Sequence, residues 1–199
     1  MIRRTTVRQR QDAMTTRWRP EFDPNQLYFI TTTAANHAHF FERDVVKRIL
    51  VYALYFISLM NKVSLYVFVI MPNHVHVIIQ CPQEFPFKDW ARALKTSTAQ
   101  MIVRLHQVER NQSALDRLAA MVARPDKQKY KVWEDGYFAE NIFSPEFLTQ
   151  KLDYIHNNPL QEHWRLAETP EDYPWSSARF YARGEPVLIP VKDVRELMF

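Results

Sequence analysis

The stretch VSLYVFVIMPNHVHVIIQ, from Val63 to Gln80, constrains the fold of this chain more than any other. Its first half, up to Ile70, is rich in β-branched and aromatic residues and is typical of a strand. The breakers Pro72 and Asn73 then predict a tight turn. The second half alternates as a second strand does, because side chains on a strand point to opposite faces. We therefore predict two adjacent strands, the second of them central in its sheet.

The alternation in the second strand places two histidines side by side. His74 and His76 share one face of the strand, and Val75 and Val77 share the other. Two imidazoles held on a rigid strand suit two ligands of one divalent cation. Two core histidines, each satisfied by a backbone partner, would give the same local pattern. The pair alone therefore leaves both interpretations open.

The composition narrows the class of protein. With 199 residues and 47% hydrophobic content, the chain is long enough for one globular domain with a core. Its only glycines, Gly136 and Gly184, argue against a glycine-rich phosphate loop. A single cysteine, Cys81, excludes an internal disulfide and favours a reducing, cytoplasmic location. The longest apolar run, 49–60, is too short to cross a bilayer, so no membrane partner is expected.

The positive charge of the chain lies in two blocks. Residues 1–20 hold six arginines, including Arg17 and Arg19, against one acid. Residues 87–131 hold ten basic side chains against four acids, whereas 132–199 hold six against twelve. Such blocks are typical of proteins that bind polyanions. Residues 1–20 are predicted to be a flexible basic arm. A solvated surface helix and an inert N-terminal leader would give the same distribution of charge.

The order of predicted elements indicates a fold class. A strand is predicted over 27–33 and a helix over 42–60, followed by the two strands described above. A second helix is predicted over 87–108, and a further strand near 137–143. This β–α–β–β–α–β order predicts an α+β fold, with a ferredoxin-like antiparallel sheet and helices on one face.

Apolar spacings of three and four predict which face of each helix is buried. For the first helix the predicted inner positions are Val45, Ile49, Tyr52, Phe56 and Leu59. For the second helix they are Leu94, Thr98, Met101, Leu105 and Val108. Three basic residues of the second helix, Lys88, Arg92 and Lys95, lie near or off this stripe and are predicted to contact phosphate.

The domain is predicted to span 21–180, with 181–199 as a C-terminal tail. The polar, basic segment 111–131 has no clear period and is treated as an insertion, helical in part over 114–122. In the segment EDYPWSS, Tyr173 and Trp175 are predicted to be packing anchors.

The segment DYIHNNP adds residues that suit a catalytic site. Ser144 can cap its helix, which should end before Pro159. Tyr154 and Asn158 are four residues apart, so they share a helix face. Alone, Tyr154 would be a core residue, but beside a metal-bound phosphodiester it becomes a candidate nucleophile. Asn158 could supply a third ligand, although a residue before proline is pushed out of the helical region.

MPNHVHVII followed by YIHNNP resembles the single-tyrosine transposases of the HUH (His-hydrophobic-His) nuclease superfamily, in particular the REP-associated tyrosine transposases. The resemblance runs from residue 27 to about residue 180 and includes VWEDGYF and EDYPWSS. It implies a ferredoxin-like fold, with His74 and His76 as the metal-binding pair. It also implies that Tyr154 becomes joined to a DNA 5′-phosphate and that Asn158 is the third ligand, where related members carry glutamine. The insertion 111–131 and the basic arm depart from the family pattern.

The activity that the resemblance implies is cleavage and rejoining of hairpin-bearing single-stranded DNA with Mg²⁺ or Mn²⁺, by a monomer or homodimer. Three alternatives remain open. A histidine-triad-like phosphodiesterase would need a third alternating histidine, and Ile78 stands in that place. A replication initiator or relaxase usually has further domains. A domesticated DNA-binding protein would keep the fold without cleavage.

Overall fold

Four antiparallel strands form the sheet at the centre of the computed structural model, which describes residues 20–197. The strands are β1 (Leu27–Thr33), β2 (Ser64–Ile70), β3 (His74–Gln80) and β4 (Phe138–Ile142). Their order is β2-β3-β1-β4, which is the ferredoxin-like arrangement predicted from the sequence. The histidine-bearing strand β3 is central, as predicted. The predicted arm, with Arg17 and Arg19, lies outside the described residues.

A tight turn joins β2 to β3 where the sequence places proline and asparagine. The backbone N–H of Met71 donates to the carbonyl oxygen of His74 at 2.8 Å, which closes the turn. β3 then pairs with β1 so that Thr31 lies opposite His76 and Thr33 opposite His74. Each histidine thus has a threonine as its neighbour across the strands.

Five helices surround the sheet in the described part of the chain. They are α1 (Asp44–Met60), α2 (Phe87–Val108), α3 (Gln112–Ala120), α4 (Pro145–Asn157) and α5 (Ala178–Arg183). Within residues 20–197, none of them combines the length and the apolar character that crossing a bilayer requires.

The two faces of the sheet carry different helices. Tyr28 of β1 contacts Phe87 of α2, with ring centroids 4.5 Å apart, and α1 packs against α2. The next residue, Phe29, points to the opposite face and contacts Tyr154 of α4 at 6.0 Å. The helices of the ferredoxin-like unit thus share one face, and α4 covers part of the other.

The predicted buried face of α1 is wrong. The side chains that enter the core are Val46, Leu50, Val51, Ala53 and Leu54. Those of Val45, Tyr52, Phe56 and Leu59 are instead between 37% and 58% exposed. The reason is that most positions after Arg48 are apolar, so the helix carries two stripes and spacing alone cannot choose between them.

The predicted stripe of α2 is correct in its first half only. Leu94 and Thr98 are fully buried, but Met101 and Val108 are 47% and 66% exposed. The buried stripe continues through Ile102 and His106 instead. The polar His106 hid this continuation in the sequence.

The insertion 111–131 is folded against the domain. Its helix, α3, spans Gln112–Ala120, two residues earlier than predicted. The Asn111 side chain caps it by accepting from the backbone N–H of Ala114 at 3.1 Å. Leu118 is buried, and its carbonyl oxygen accepts from the backbone N–H of Lys131 at 3.0 Å. Both bonds shape the insertion itself, and the packing of Leu118 in the core holds α3 against the domain.

The segment EDYPWSS packs along the outer edge of β2. The backbone N–H of Ile70 donates to the Trp175 carbonyl oxygen at 2.8 Å, and that of Ser177 donates to Phe68 at 2.9 Å. The Tyr173 hydroxyl donates to the Ile70 carbonyl oxygen at 2.8 Å. Tyr173 and Trp175 are both buried, in agreement with their predicted packing role.

Helix α4 begins at a serine cap and continues through the residue before proline. The Ser144 side chain accepts from the backbone N–H of Phe147 at 3.2 Å. α4 ends at Asn157, but a 3-10 turn follows directly, and Asn158 has helical φ and ψ of −55° and −42°. The steric restriction before Pro159 is therefore overridden, and Asn158 stays on the helix face of Tyr154.

The buried His156 links α4 to the segment EDYPWSS. His156 Nε2 and the Ser177 hydroxyl form a hydrogen bond at 2.9 Å, and the same hydroxyl oxygen accepts from the backbone N–H of Phe68 at 3.0 Å. Burial lowers the pKa of His156 to about 4, which keeps the imidazole neutral near pH 7. His156 thus has a structural hydrogen bond.

The Tyr173 hydroxyl should stabilise the packing of the segment EDYPWSS against β2. We expect Tyr173→Phe to lower the free energy of unfolding by about 1 kcal/mol, because a buried carbonyl oxygen loses its donor. Denaturant unfolding measures this loss. Tyr52→Phe is the matched control, since Tyr52 is half exposed on α1. Equal stability of the two variants would contradict this role.

The buried His156 should make folding stability depend on pH. Because its pKa falls from 6.5 to about 4 on folding, its contribution is complete above about pH 6.5 and is lost as pH falls towards 4. Near pH 5 the loss should be about 2 kcal/mol. His156→Gln keeps an N–H donor without a titrating group, so this variant should lose less stability between about pH 7 and pH 5. Parallel denaturant titrations would refute the assignment if both proteins lost the same amount.

Candidate active site

The register of β3 presents two imidazoles at one end of the sheet. His74 and His76 begin the strand and point to the face that α4 covers, with ring centroids 4.6 Å apart. His76 is only 3% exposed, whereas His74 is partly accessible. Their proximity follows from the two-residue period of the strand.

Asn158 reaches both imidazoles from the end of α4. Its Oδ1 lies 3.2 Å from His74 Nε2, and its Nδ2 lies 3.4 Å from His76 Nε2. The side chain is buried, with 2% exposed. The structure thus brings together the three residues that the sequence predicted as metal ligands.

A neighbouring amide orients the His74 ring. Asn73 donates its Nδ2 proton to the carbonyl oxygen of His37 at 3.0 Å, which turns its Oδ1 towards His74 Nδ1 at 2.5 Å. His74 therefore carries its proton on Nδ1, and the lone pair of its Nε2 faces the Asn158 oxygen. Two acceptors that face each other at 3.2 Å make a favourable place for a cation.

Both imidazoles are held in the neutral form that binds metal. Burial lowers the pKa of His74 to about 4. The pKa of His76 is also well below its usual value, first through burial and then through electrostatic interaction with the neighbouring His74 and Lys151. The Nδ1 of His76 lies 2.7 Å from the Thr31 hydroxyl across the strands, which fixes the ring. Each ring thus has one nitrogen anchored and the other directed at Asn158.

Tyr154 lies beside the histidine pair in the same chain. Its ring centroid is 5.2 Å from that of His76 and 6.0 Å from that of Phe29. The side chain is 44% exposed and borders a pocket of about 430 Å³. No hydrogen bond joins its hydroxyl to any other residue of 20–197. The phenol is therefore free to meet a substrate that enters the pocket.

A lysine missed by the sequence analysis completes this pocket. Lys151 precedes Tyr154 by three residues and so lies on the same face of α4. Its ammonium pairs with Glu140 at 2.8 Å and lies 4.6 Å from the centre of the Phe29 ring. The pocket thus holds a fixed positive charge next to the tyrosine.

The predicted DNA-contacting residues of α2 differ from one another in the structure. Lys88 is exposed, and Arg92 is exposed but paired with Asp89 at 2.9 Å. Lys95 is already engaged, because its ammonium donates to the carbonyl oxygens of Glu134 and Gly136 at 2.5 and 2.6 Å. The prediction that Lys95 contacts phosphate therefore finds no support in its geometry.

The donor set at this site fits a divalent cation. Two neutral imidazoles and one amide oxygen leave positions open for water or substrate oxygens. No cluster of three His, Cys, Asp or Glu side chains with metal-binding geometry occurs among residues 20–197. A cation at this site would thus depend on Asn158 as its third protein ligand.

Comparisons with known proteins agree with this architecture. A family model described as IS200-like transposase matches residues 24–158, which contain all four residues of the site. The structure of a REP-associated tyrosine transposase bound to a REP hairpin has a TM-score of 0.61 at 18% identity, over 89% of this chain and 92% of that chain. A Deinococcus radiodurans crystal structure, described as a transposase candidate, has a TM-score of 0.44 at 18% identity, over 70% of this chain and 96% of that chain. Curated protein sequences give no match.

At 18% identity, the likeness to the REP-associated tyrosine transposase demonstrates a shared fold and no more. The family model spans more than half of the sequence and ends at Asn158, the last residue of the site. The resemblance predicted from the two motifs is thereby confirmed, and this chain belongs to the IS200-like transposase family.

Proposed function

We propose that this protein cleaves and rejoins hairpin-bearing single-stranded DNA through a 5′-phosphotyrosine intermediate. The observation that carries the proposal is the position of Tyr154, whose ring lies 5.2 Å from His76. His76 in turn meets His74 and Asn158, so a nucleophile and a cation site adjoin in one chain. Membership of the IS200-like transposase family supports the same activity.

His74, His76 and Asn158 would hold Mg²⁺ or Mn²⁺, which fits their neutral, convergent donor atoms. When bound, such an ion withdraws negative charge from a phosphodiester and makes its phosphorus easier to attack. The chain supplies the rigid frame for this, because Thr31 and Asn73 fix the two imidazole rings.

Tyr154 would act as the nucleophile. Its phenolic oxygen attacks the scissile phosphorus, the bond from phosphorus to the 3′-oxygen breaks, and the phenolic proton is released. The 3′-oxygen leaves as a free hydroxyl, and the 5′-phosphate stays joined to the tyrosine. Since the adduct is also a phosphodiester, a second 3′-hydroxyl can reverse the step and join a new strand without a nucleotide cofactor.

Lys151 lies where it can contact the substrate phosphate. It lines the same pocket as Tyr154, and its side chain is 19% exposed. A substrate phosphate in the pocket would add negative charge beside this ammonium, which favours binding. The pair with Glu140 holds the ammonium in place before DNA arrives.

The proposed DNA partner is supported by a likeness and by charge. The REP-associated tyrosine transposase that shares this fold is bound to a REP hairpin in its structure. The present chain concentrates basic residues in 1–20 and 87–131, which suits a polyanion. Because one chain contains all four site residues, a monomer suffices for the chemistry, whether or not the protein also forms a homodimer.

A histidine-triad-like phosphodiesterase is a weaker candidate. Ile78, at the position of a third alternating histidine, is fully buried and carries no ligand atom. The adjacent Tyr154 also has no part in that mechanism.

Tyr154→Phe should abolish cleavage and covalent attachment while preserving the fold and DNA binding. With a hairpin oligonucleotide labelled 3′ of the cut, wild-type protein should give a denaturation-resistant adduct that retains the label. The variant should lose at least about a thousandfold in cleavage rate, because only the attacking oxygen is removed.

Tyr52→Phe is the matched control and should cleave at the wild-type rate. Cleavage by Tyr154→Phe would identify a water or another residue as the nucleophile. Binding without cleavage by the wild-type protein would favour the domesticated DNA-binding alternative instead.

Metal binding should require both histidines. His74→Ala and His76→Ala should each weaken Mn²⁺ binding by at least about tenfold in calorimetry and abolish cleavage. Asn158→Ala should do less harm, since a water can replace a neutral ligand. Tyr52→Phe, on the exposed side of α1, should bind Mn²⁺ as wild type does. Unchanged binding and cleavage in His76→Ala would overturn the proposed site.

A further inference from the structure

A second groove adjoins the pocket of Tyr154. It runs between the outer face of α2 and residues 128–135, with a volume of about 700 Å³. Among its lining side chains are Gln100, Arg104, Gln107, Gln128, Lys129 and Tyr130. Glu134 and Asp135 line both this groove and the pocket of Tyr154, so the two cavities are neighbours.

Among the side chains that line the groove, positive charges without an ion-pair partner outnumber negative ones. Lys131 pairs with Asp135 at 2.9 Å, and Glu134 accepts from the backbone N–H of Asn36. Lys131 therefore balances the charge of Asp135, whereas Glu134 is held in place but keeps its charge. By contrast, Arg104 and Lys129 are exposed, and neither forms an ion pair with a carboxylate of residues 20–197.

More positive charge lies on the adjoining turn. Arg124 and Lys127 are exposed there, and the Arg124 carbonyl oxygen accepts from the backbone N–H of Gln128 at 3.2 Å. Basic side chains thus continue beyond the groove, as a polyanion-binding surface requires.

The remaining side chains suit unpaired bases. Gln100 and Gln107 offer amide donors and acceptors, which can pair with base edges. Gln128 offers its amide oxygen, since its Nε2 donates to the Tyr130 carbonyl oxygen at 2.7 Å. Tyr130 is partly exposed, and the Lys129 ammonium lies 5.3 Å from the centre of its ring. A base that stacks on this ring would therefore bring its phosphate close to Lys129. An aromatic ring stacks only on a base that has left its own stack, so Tyr130 favours a single strand over a duplex.

The insertion 111–131 builds one wall of this groove. Its last residues, 128–131, line it, and Lys131 is fixed to α3 through the Leu118 carbonyl oxygen. The groove therefore depends on the insertion as well as on α2.

We infer that the groove binds the unpaired DNA segment that adjoins the scissile phosphate. This inference rests on the proposed function, which brings the phosphate to Tyr154. The strand would pass between the two cavities at Glu134 and Asp135, with its phosphates near Arg104 and Lys129 and its bases towards Tyr130 and the glutamines.

Fluorescence anisotropy tests the inference with two oligonucleotides that share one hairpin stem, one without an extension and one with about ten unpaired nucleotides. The protein carries Tyr154→Phe, so cleavage does not intervene. Adding Arg104→Gln and Lys129→Gln should weaken binding of the extended hairpin about tenfold and leave the bare hairpin unchanged. The slope of log K against log salt should fall by about 1.4 for the extended hairpin, at about 0.7 per phosphate contact.

Lys62→Gln is the matched control, because Lys62 is exposed at the opposite end of the sheet from His74 and should leave both affinities unchanged. Unchanged binding of the extended hairpin by the double variant would overturn the inference. An equal loss for both hairpins would do so too, since it would place the stem in the groove. Competition by an acidic peptide but not by a single strand would indicate a protein partner instead. Failure of wild-type protein to cleave would count against the proposed function while leaving this binding result interpretable.

Discussion

The antiparallel register of β1 against β3 is the constraint on which the site depends. It sets Thr31 opposite His76 and Thr33 opposite His74, so the imidazoles point away from α1 and α2. A slip of one residue would turn both histidines into the apolar layer between sheet and helices. The alternating valines of β3 oppose such a slip, because they would then lose their burial. The burial of apolar side chains on one face of β3 thus determines that both histidines lie on the other face.

The second requirement is that α4 reach the histidines from outside the ferredoxin-like unit. Three contacts determine where it lies: His156 bonds to Ser177, Tyr154 rests on Phe29, and Asn158 meets both imidazoles. The helical conformation of Asn158 is unfavourable before proline, but buried contacts hold it. The nucleophile and the third ligand are therefore positioned by packing far along the chain from the histidine strand.

The sequence predicted the strands and the main helices, because hydrophobic period is a local signal. The grouping of His74, His76, Tyr154 and Asn158 was instead implied by the resemblance of the two motifs to a known family. The sequence failed for the buried face of α1, where two apolar stripes compete and only packing against α2 decides. It could not reveal the engagement of Lys95, which depends on carbonyl oxygens about forty residues away. Asn73 and Lys151 could have been predicted from their positions. Asn73 directly precedes His74, and Lys151 lies one helical turn before Tyr154.

The packing of EDYPWSS along β2 has a consequence for the solution behaviour of the chain. A strand at the rim of a sheet offers unpaired N–H and C=O groups, on which another molecule can add a strand. Here Trp175 and Ser177 occupy those groups on β2, and Lys192 donates its backbone N–H to Leu65 further along. Shortening the chain before residue 173 would leave an apolar β2 open to pairing between molecules. This C-terminal segment therefore also protects the protein against aggregation.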